Sequence, residues 1–569
     1  MSTSRSGAQH GRSDRSSLRW IPRVLALLLV LLVADAIWSA TSATRDLRGA
    51  RDQLTRGGEL LVAGDLTGAQ AAFSQASTMA RGAGSSWDHP APRLAETLPV
   101  VGDDAHAVDA LAQAAADAAD AGLELTAAAR RVGWDGEQLP GFGTGGKIDA
   151  AKIAAAVPGV RAAADLLTSA QANLEAVDTD GLTAPVASAT DQALTQISER
   201  ASTAAKAATT AELLPGFLGA DGPRSYLIVM QNLSDPRGAG GYPGSYGLIH
   251  TDGHRIRLEE LQPTSTIPRV APVPAPPDIV RLYGDFGATT DFIATTYSPD
   301  FPTDARLMLN IWEAAGRPPV DGVISGDAVL MSHLLEALGP VDSPVVEPGW
   351  PATITSDNVV EVMNRDTFMT TSQTLSDQWQ TAIGTALWGA LLSRPWPPQA
   401  LATAVGRAVE ERHLQVYSTD PAQQQALTDL GASGEVRFSA HHASLVVLQG
   451  FSDNRAGYFV TTKVSSSQRD LPDGAKEVSV TVTLHNAAPT EPPSILLGTP
   501  TFQATRGLFQ AQLQVYLPLG ATVVESTVDG GPGFLDLVEE EFGRPMPIQF
   551  LDVPAGATTA ATFVYRLRS

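Results

Sequence analysis

The chain contains no cysteine, which excludes a disulfide framework, a thiolate nucleophile and any zinc site built on sulfur. Stability has to come from packed cores, and the missing disulfides say nothing about compartment, because large domains do without them. Lysine is scarce as well: five lysines stand against 34 arginines, a usage expected of a GC-rich, actinobacterial genome. Basic charge as a whole is in deficit. The 39 Lys and Arg face 61 Asp and Glu, for a net charge of −22. No basic stripe occurs beyond the N-terminus, so DNA or another nucleic acid is disfavoured as a partner. The common hydrolase signatures are missing too. Neither Gly-x-Ser-x-Gly, His-Glu-x-x-His nor Ser-x-x-Lys occurs, which weakens a protease or esterase reading.

With 569 residues, 43% of them hydrophobic and 18% charged, the chain has the composition of folded protein and the length of about three domains. Residues 1–23 form a basic tail, with Arg5, Arg12, Arg15, Arg19 and Arg23 against Asp14, and residues 24–34 follow without one polar side chain. Taken from Trp20 to Ala40, the segment has about the 20 residues that cross a bilayer, with Trp20 and Trp38 as interfacial residues. The arginines keep the tail cytoplasmic. A single-pass membrane anchor over 24–40, N-terminus inside and the bulk of the chain extracytoplasmic, is therefore expected. A cleaved signal peptide is the alternative, because the apolar core is short and Ala34-Asp35-Ala36 has the form of a cleavage site.

Beyond the anchor, Leu47, Leu54 and Leu61 recur every seven residues, and alanine-rich segments follow at 68–80, 105–131, 150–177 and 187–213. These patterns predict amphipathic helices, hence an α-helical stalk or bundle over 41–215. From Arg224 the pattern becomes mixed. Strands are expected at 226–230, 246–250, 256–261, 320–324 and 414–417, with helices at 303–315, 326–338, 357–368, 374–392 and 397–412, which makes 216–450 an α/β domain. A period of two then appears at Val478, Val480, Val482 and Leu484 and again near 509–517 and 563–567, predicting a C-terminal all-β, sandwich-like domain over 451–569. The fold class expected is thus multidomain.

The stretch with most chemistry is 232–247, where Gly238-x-Gly240-Gly241-x-x-Gly244 follows an apolar run. Glycine lets backbone N–H groups converge on an anion, and Arg237 adds a forked donor, so Gly238, Gly240, Gly241 and Gly244 form a candidate phosphate-binding loop. Asp235 is its candidate salt-bridge partner or metal ligand. A β-hairpin with glycine bends is the structural alternative. A dinucleotide fingerprint would open a helix, whereas residues 245–250 read as another strand. His250 and His254 flank a turn and His441-His442 precede a strand, which makes them weak metal candidates. The acidic run 539–541 reads as a solvated face.

Two of these stretches resemble a known family. Residues 225–247, with Gln231-Asn232 and Arg237-x-x-Gly-Gly-Tyr-Pro-Gly-Ser-Tyr-Gly, together with Asp453-Asn454-Arg455-Ala-Gly-Tyr458, resemble the bacterial exported family known as domain of unknown function 4012. That family is distantly similar to the LytR-CpsA-Psr enzymes, which attach polyprenyl-pyrophosphate-linked glycopolymers to peptidoglycan. Asp235-x-Arg237 resembles the Asp-x-Arg entry to their pyrophosphate site, residues 319–341 resemble their strand and helix ending in Ala-Leu-Gly, and 357–365 resemble the helix that ends in their second arginine. The resemblance implies a LytR-CpsA-Psr-like α/β domain, catalytic roles for Asp235, Arg237 and Arg365, Mg²⁺ on Asp235, and lipid-linked glycan or peptidoglycan as partner. In such a transfer, arginines and a carboxylate-held Mg²⁺ offset charge on the leaving phosphate while a hydroxyl attacks. The chain departs from that pattern where Gly244-Ser245-Tyr246 replaces an Arg-Ser-Asp triplet and Ile267-Pro268-Arg269-Val270 replaces Ile-Pro-Arg-Asp. Two functions are therefore expected in alternation: a glycopolymer phosphotransferase of cell-envelope assembly with an incomplete site, or a non-catalytic envelope scaffold or binding protein.

Overall fold

The computed structural model describes residues 42–85, 101–136, 141–395, 397–438, 444–499, 505–533 and 537–567. The anchor expected over 24–40 and His441-His442 lie outside them. Two compact units are present. The first takes in the described residues of 1–141, 152–212 and 396–407; the second takes in those of 142–151, 213–395 and 408–569.

Helices dominate the first unit: α1 (Ser42–Val62), α2 (Leu66–Ser85), α3 (Val101–Val132), α4 (Ala150–Ala154), α5 (Val157–Glu175) and α6 (Ala184–Phe217), whose last residues pass into the second unit. The seven-residue leucine repeat is the buried seam of α1, with Leu47, Leu54 and Leu61 each at most 1% exposed. Opposite them lie Ala69, Phe73, Ala76, Ala80 and Ala83 of α2, then Ala114, Ala115 and Ala118 of α3 and Leu167, Ala170 and Leu174 of α5. Alanine at these contacts lets backbones approach closely while costing no side-chain entropy. Gly64, at φ +81°, closes the turn between α1 and α2, and Asp65 caps α2 by accepting from the Gly68 N–H at 2.9 Å. Residues 150–175 are long and apolar enough to cross a membrane by length and composition, but Ala163, Ala164, Leu167, Ala170 and Leu174 of that stretch pack into the bundle core.

The second unit contains a mixed sheet and a β-sandwich. Its mixed sheet is built from β1 (Arg224–Arg237), β2 (Gly240–Thr251), β3 (Ile256–Leu258), β4 (Gln262–Pro263), β5 (Gly322–Gly326) and β8 (Leu414–Ser418), ordered β3-β2-β1-β5-β8 with β4 on β2. β6 (Val341–Asp342) and β7 (Thr353–Ile354) form a separate two-stranded ladder. β1 runs antiparallel to β2 and parallel to β5. Residues 226–232 of β1 are buried without a break, as a central strand covered on both faces requires. Helices α7 (Pro277–Tyr283), α8 (Phe301–Ala314), α9 (Ala328–Leu338), α10 (Val359–Asn364), α11 (Gln373–Ser393) and α13 (Pro421–Asp429) also belong to this unit, whereas most of α12 (Pro398–Glu410) belongs to the first. Phe301, Ala305, Met308, Ile311 and Trp312 of α8 join Leu227, Val229 and Val323 in one core. Asp300 caps α8, accepting from the Thr303 N–H at 3.1 Å, and Asp327 caps α9.

The sandwich pairs one sheet of β10 (Val460–Asp470), β11 (Lys476–Asn486), β17 (Thr558–Leu567), β13 (Thr522–Val528) and β14 (Gly531–Pro532) with another of β15 (Val538–Glu541), β16 (Arg544–Val553), β12 (Phe509–Tyr516) and β9 (Leu445–Gly450). The period-two residues Val478, Val480, Val482 and Leu484 lie beside Phe563 and Tyr565 of the same sheet and share a core with Phe509, Leu513 and Val515 of the other. The boundary expected at 450 falls too late: β9 hydrogen-bonds β12 from Ala511↔Gly450 to Tyr516↔Leu445, so the sandwich begins by Leu445.

Candidate functional site

The stretch 232–247 is not a loop. β1 continues to Arg237 and β2 resumes at Gly240, so only Gly238 and Ala239 turn the chain. Each of the first three glycines has a structural reason that needs no ligand. A Cβ on Gly238 would come within 2.2 Å of the Tyr297 carbonyl oxygen, and one on Gly241 within 2.2 Å of the Asn232 carbonyl oxygen. Gly240 sits at φ +131°, and the Gly241 N–H donates to Gln231 Oε1 at 2.9 Å. Around Gly244 there is room for a side chain. The hairpin reading of this sequence is the one that the structure displays.

Chemistry gathers on the other side of the turn. The β1/β2 register slips between Asn232 and Pro236, and such a bulge re-aims side chains. Ser234 Oγ donates to the Asn364 carbonyl at 2.5 Å, and Asp235 points inward, 5% exposed. Arg237 Nη2 donates to Asp235 Oδ2 at 3.2 Å, and its Nε lies 3.2 Å from Oδ1. A second arginine meets the same carboxylate: Arg455 Nη1 lies 3.4 Å from Asp235 Oδ2. Each guanidinium lies over an aromatic ring, Arg237 at 4.3 Å from the Tyr297 centroid and Arg455 at 4.9 Å from that of Tyr242, an arrangement that adds cation–π attraction. Gly450, the last residue of β9, permits this approach, since a Cβ there would sit 2.8 Å from Asp235 Oδ1. The two stretches that carry the family resemblance, more than 200 residues apart, thus meet at Asp235.

Arg365 does not join them. Although Asn364 bonds Ser234, the Arg365 side chain turns to Glu361 and to Asp366, donating from Nε to Asp366 Oδ1 at 2.7 Å. Helix α10 stops at Asn364, so this arginine leaves the helix on its exposed side. The second arginine beside Asp235 is Arg455, not Arg365. Its signal was the Asp453-Asn454-Arg455 stretch itself: Asn454 Oδ1 accepts from the Ala456 N–H at 2.9 Å and Asn454 Nδ2 donates to the Leu508 carbonyl at 2.9 Å, which pins the arginine in place.

The residues present do not fit Mg²⁺ on Asp235. Both carboxylate oxygens are already engaged by guanidiniums, and a dication would have to displace two positive charges that face it. Among the described residues, no group of three or more His, Asp or Glu stands in a metal-holding arrangement. His250 bonds Ser225 Oγ through Nδ1 and Glu259 through Nε2, each at 2.9 Å.

A second buried polar group escapes sequence reading altogether. Glu541, expected on a solvated face, is 1% exposed and accepts from Ser298 Oγ at 2.9 Å, Tyr283 OH at 3.0 Å and Tyr516 OH at 2.5 Å. Burial pushes its carboxyl above the usual range, partly offset by these donors. Nearby Asp304 is 0% exposed and neither carboxylate oxygen has a hydrogen-bond partner. Burial raises its pKa well above the ordinary value, and the charges of Asp300 and Glu541 raise it further. The folded state therefore holds a proton that the unfolded chain releases near pH 4. Stability from this group is full below that pH and is lost as pH rises toward the folded pKa. Asp304→Asn is expected to melt higher than wild type at neutral pH, with the gap closing as pH falls to 4. Melting curves at pH 4, 6 and 8 check this, and a gap independent of pH would refute it.

No curated protein matches the chain. A solved structure described as the transcriptional regulator yvhJ from Bacillus subtilis is similar over 40% of this chain and 85% of that one at 13% identity, with a TM-score of 0.21; a likeness at that score carries no argument about fold or function. Residues 221–368 match the family described as "Protein of unknown function (DUF4012)", a span that holds Asp235, Arg237 and Arg365 and ends before Arg455. Over those residues the chain carries a DUF4012 domain.

Proposed function

We propose that this chain is a membrane-anchored, extracytoplasmic protein of cell-envelope assembly that binds a polyprenyl-pyrophosphate-linked glycopolymer at Arg237 and Arg455 without transferring it. The observation that supports binding is the excess of donors at Asp235. Two guanidiniums share one carboxylate, and Arg237 Nη1, Arg455 Nε and Gln231 Nε2 are buried without a hydrogen-bond partner. Each such unsatisfied donor costs about 1–3 kcal/mol, and a diphosphate offers acceptor oxygens in the planar geometry that a guanidinium matches. Transfer is not supported, because Arg365 is engaged by Glu361 and Asp366 and the carboxylate is not free to hold a metal.

The test is equilibrium binding of a fluorescent polyprenyl pyrophosphate to the full chain in detergent. Losing a charged hydrogen bond is worth about 1.5–3 kcal/mol, so Arg237→Ala and Arg455→Ala are each expected to weaken binding by roughly 10- to 100-fold. Unchanged affinity in both variants would remove the site. A purely structural, scaffold reading is favoured by one observation: Asp235, Arg237 and Arg455 have side chains 5%, 10% and 17% exposed. Under it, the same substitutions lower the melting temperature and wild type binds no pyrophosphate.

A further inference from the structure

The sandwich ends on an unusual edge. β10 is 11 residues long and pairs with β11 without a register slip, from Val460↔Asn486 to Asp470↔Lys476. Among the described residues, no strand pairs with its other side. Strands average about 5–6 residues, and proteins shield free edges with proline, bulges or charge. β10 has no proline and no bulge, and Lys463 is the only charge before Arg469, which bonds Glu477 on β11 at 2.7 Å.

Burial sets this strand apart further. Thr462, Val464, Ser466 and Gln468 lie opposite Leu484, Val482, Val480 and Val478, whose side chains enter the sandwich core. Those four β10 positions are nevertheless exposed, as is every residue from 461 to 470, and Val464 is 49% exposed. Among the described residues, nothing covers either face of β10. Alternate residues of an antiparallel edge aim their N–H and C=O groups outward, so β10 offers a long row of backbone donors and acceptors with a solitary apolar side chain midway.

We infer that β10 pairs antiparallel with β10 of a second copy of this chain, about a two-fold axis at Val464. The sequence is self-complementary in that register. Val464 faces Val464, Lys463 faces Ser465, Thr462 faces Ser466, Thr461 faces Ser467 and Val460 faces Gln468. No like charges oppose each other, hydroxyl side chains meet across the seam, and the exposed valine gains an apolar neighbour. Shifting the axis to Lys463 would set two lysines against each other, and shifting it to Ser465 would oppose Val464 with Ser466. The two five-stranded sheets thereby become one of ten strands, with an isologous interface. One strand from each copy is small beside the roughly 1,200–2,000 Å² of stable assemblies, so the pair is reversible and cross-linking is the suitable readout.

The absence of cysteine makes the test clean. Directly opposed residues in an antiparallel pair have Cα atoms about 4.5–5.5 Å apart, within the range a disulfide spans. Val464→Cys in the full chain is expected to give an oxidised dimer on non-reducing gels, forming at least about tenfold faster than with Ser467→Cys, whose two copies stand roughly 20 Å apart in this register. Val346→Cys, 94% exposed on another part of the unit, is expected to behave as Ser467→Cys does. Adding Val464→Lys to wild type should abolish self-association by light scattering while leaving the melting temperature unchanged, since position 464 already faces solvent. Equal cross-linking rates at 464, 467 and 346, or a monomer mass at every concentration tested, would overturn the pairing.

Discussion

Asp235→Ala is expected to destabilise the second unit by about 3–5 kcal/mol, the cost of leaving buried charge uncompensated. Asp235 is 5% exposed, and Arg237 and Arg455 both rely on it. Without the carboxylate, two guanidiniums face each other in a site that water reaches poorly, and each loses its ion pair with Asp235. A unit of this size should lose roughly 4–7 °C in Tm. The reason is the missing counter-charge rather than lost contact area, so a second variant separates the two. Replacing all three members, Asp235→Leu with Arg237→Met and Arg455→Met, should recover most of the stability, because apolar residues of similar volume need no counter-ion. Thermal melts of wild type, Asp235→Ala and the triple variant decide the matter. A loss under about 1 kcal/mol for Asp235→Ala would mean that water already compensates the arginines.

Phe73→Ala carries an effect of comparable size in the helical unit. Phe73 is 0% exposed, and Gly57 on α1 and Gly122 on α3 leave space for its ring: a Cβ would approach it to 2.3 Å at Gly57 and 2.9 Å at Gly122. Removing the ring leaves a cavity bordered by Gly57 and Gly122, which have no side chain to fill it. The expected loss is therefore toward the upper part of the usual range of about 3–5 kcal/mol. Because the chain has two units, a single unfolding transition cannot be assumed, and the loss is to be read from helical circular dichroism at 222 nm. Gly122→Ala supplies a test by sign. In wild type it crowds the ring and destabilises by about 1–3 kcal/mol, whereas in the Phe73→Ala background the methyl occupies vacated space and helix propensity adds up to about 1 kcal/mol. Destabilisation in both backgrounds would mean that Phe73 does not fill that gap.

The helical unit was legible from the chain alone because a helix buries its face through local spacing. Leu47, Leu54 and Leu61 lie on one stripe of α1 whatever else surrounds them, and the alanine segments fall in α2, α3, α6 and the pair α4 and α5, which breaks at residues 155–156. The inward alternation from Val478 to Leu484 was equally local. Partnerships across long stretches of sequence were not. Arg365 looked like the companion of Arg237 because it ends a helix in a recognisable pattern, yet the side chain follows its own neighbours, Glu361 and Asp366.

Composition and periodicity by themselves determined the order of helical, mixed and all-β segments, the lack of sulfur chemistry and the acidic surface. Only the tertiary structure decided that 232–247 is a hairpin, that Arg455 is the second arginine on Asp235, and that Glu541 is buried. The physical reason is common to all three. Whether glycine serves a ligand or a close backbone, and whether a charge meets solvent or a counter-charge, depends on which distant segment is packed beside it, and spacing along the chain carries no record of that.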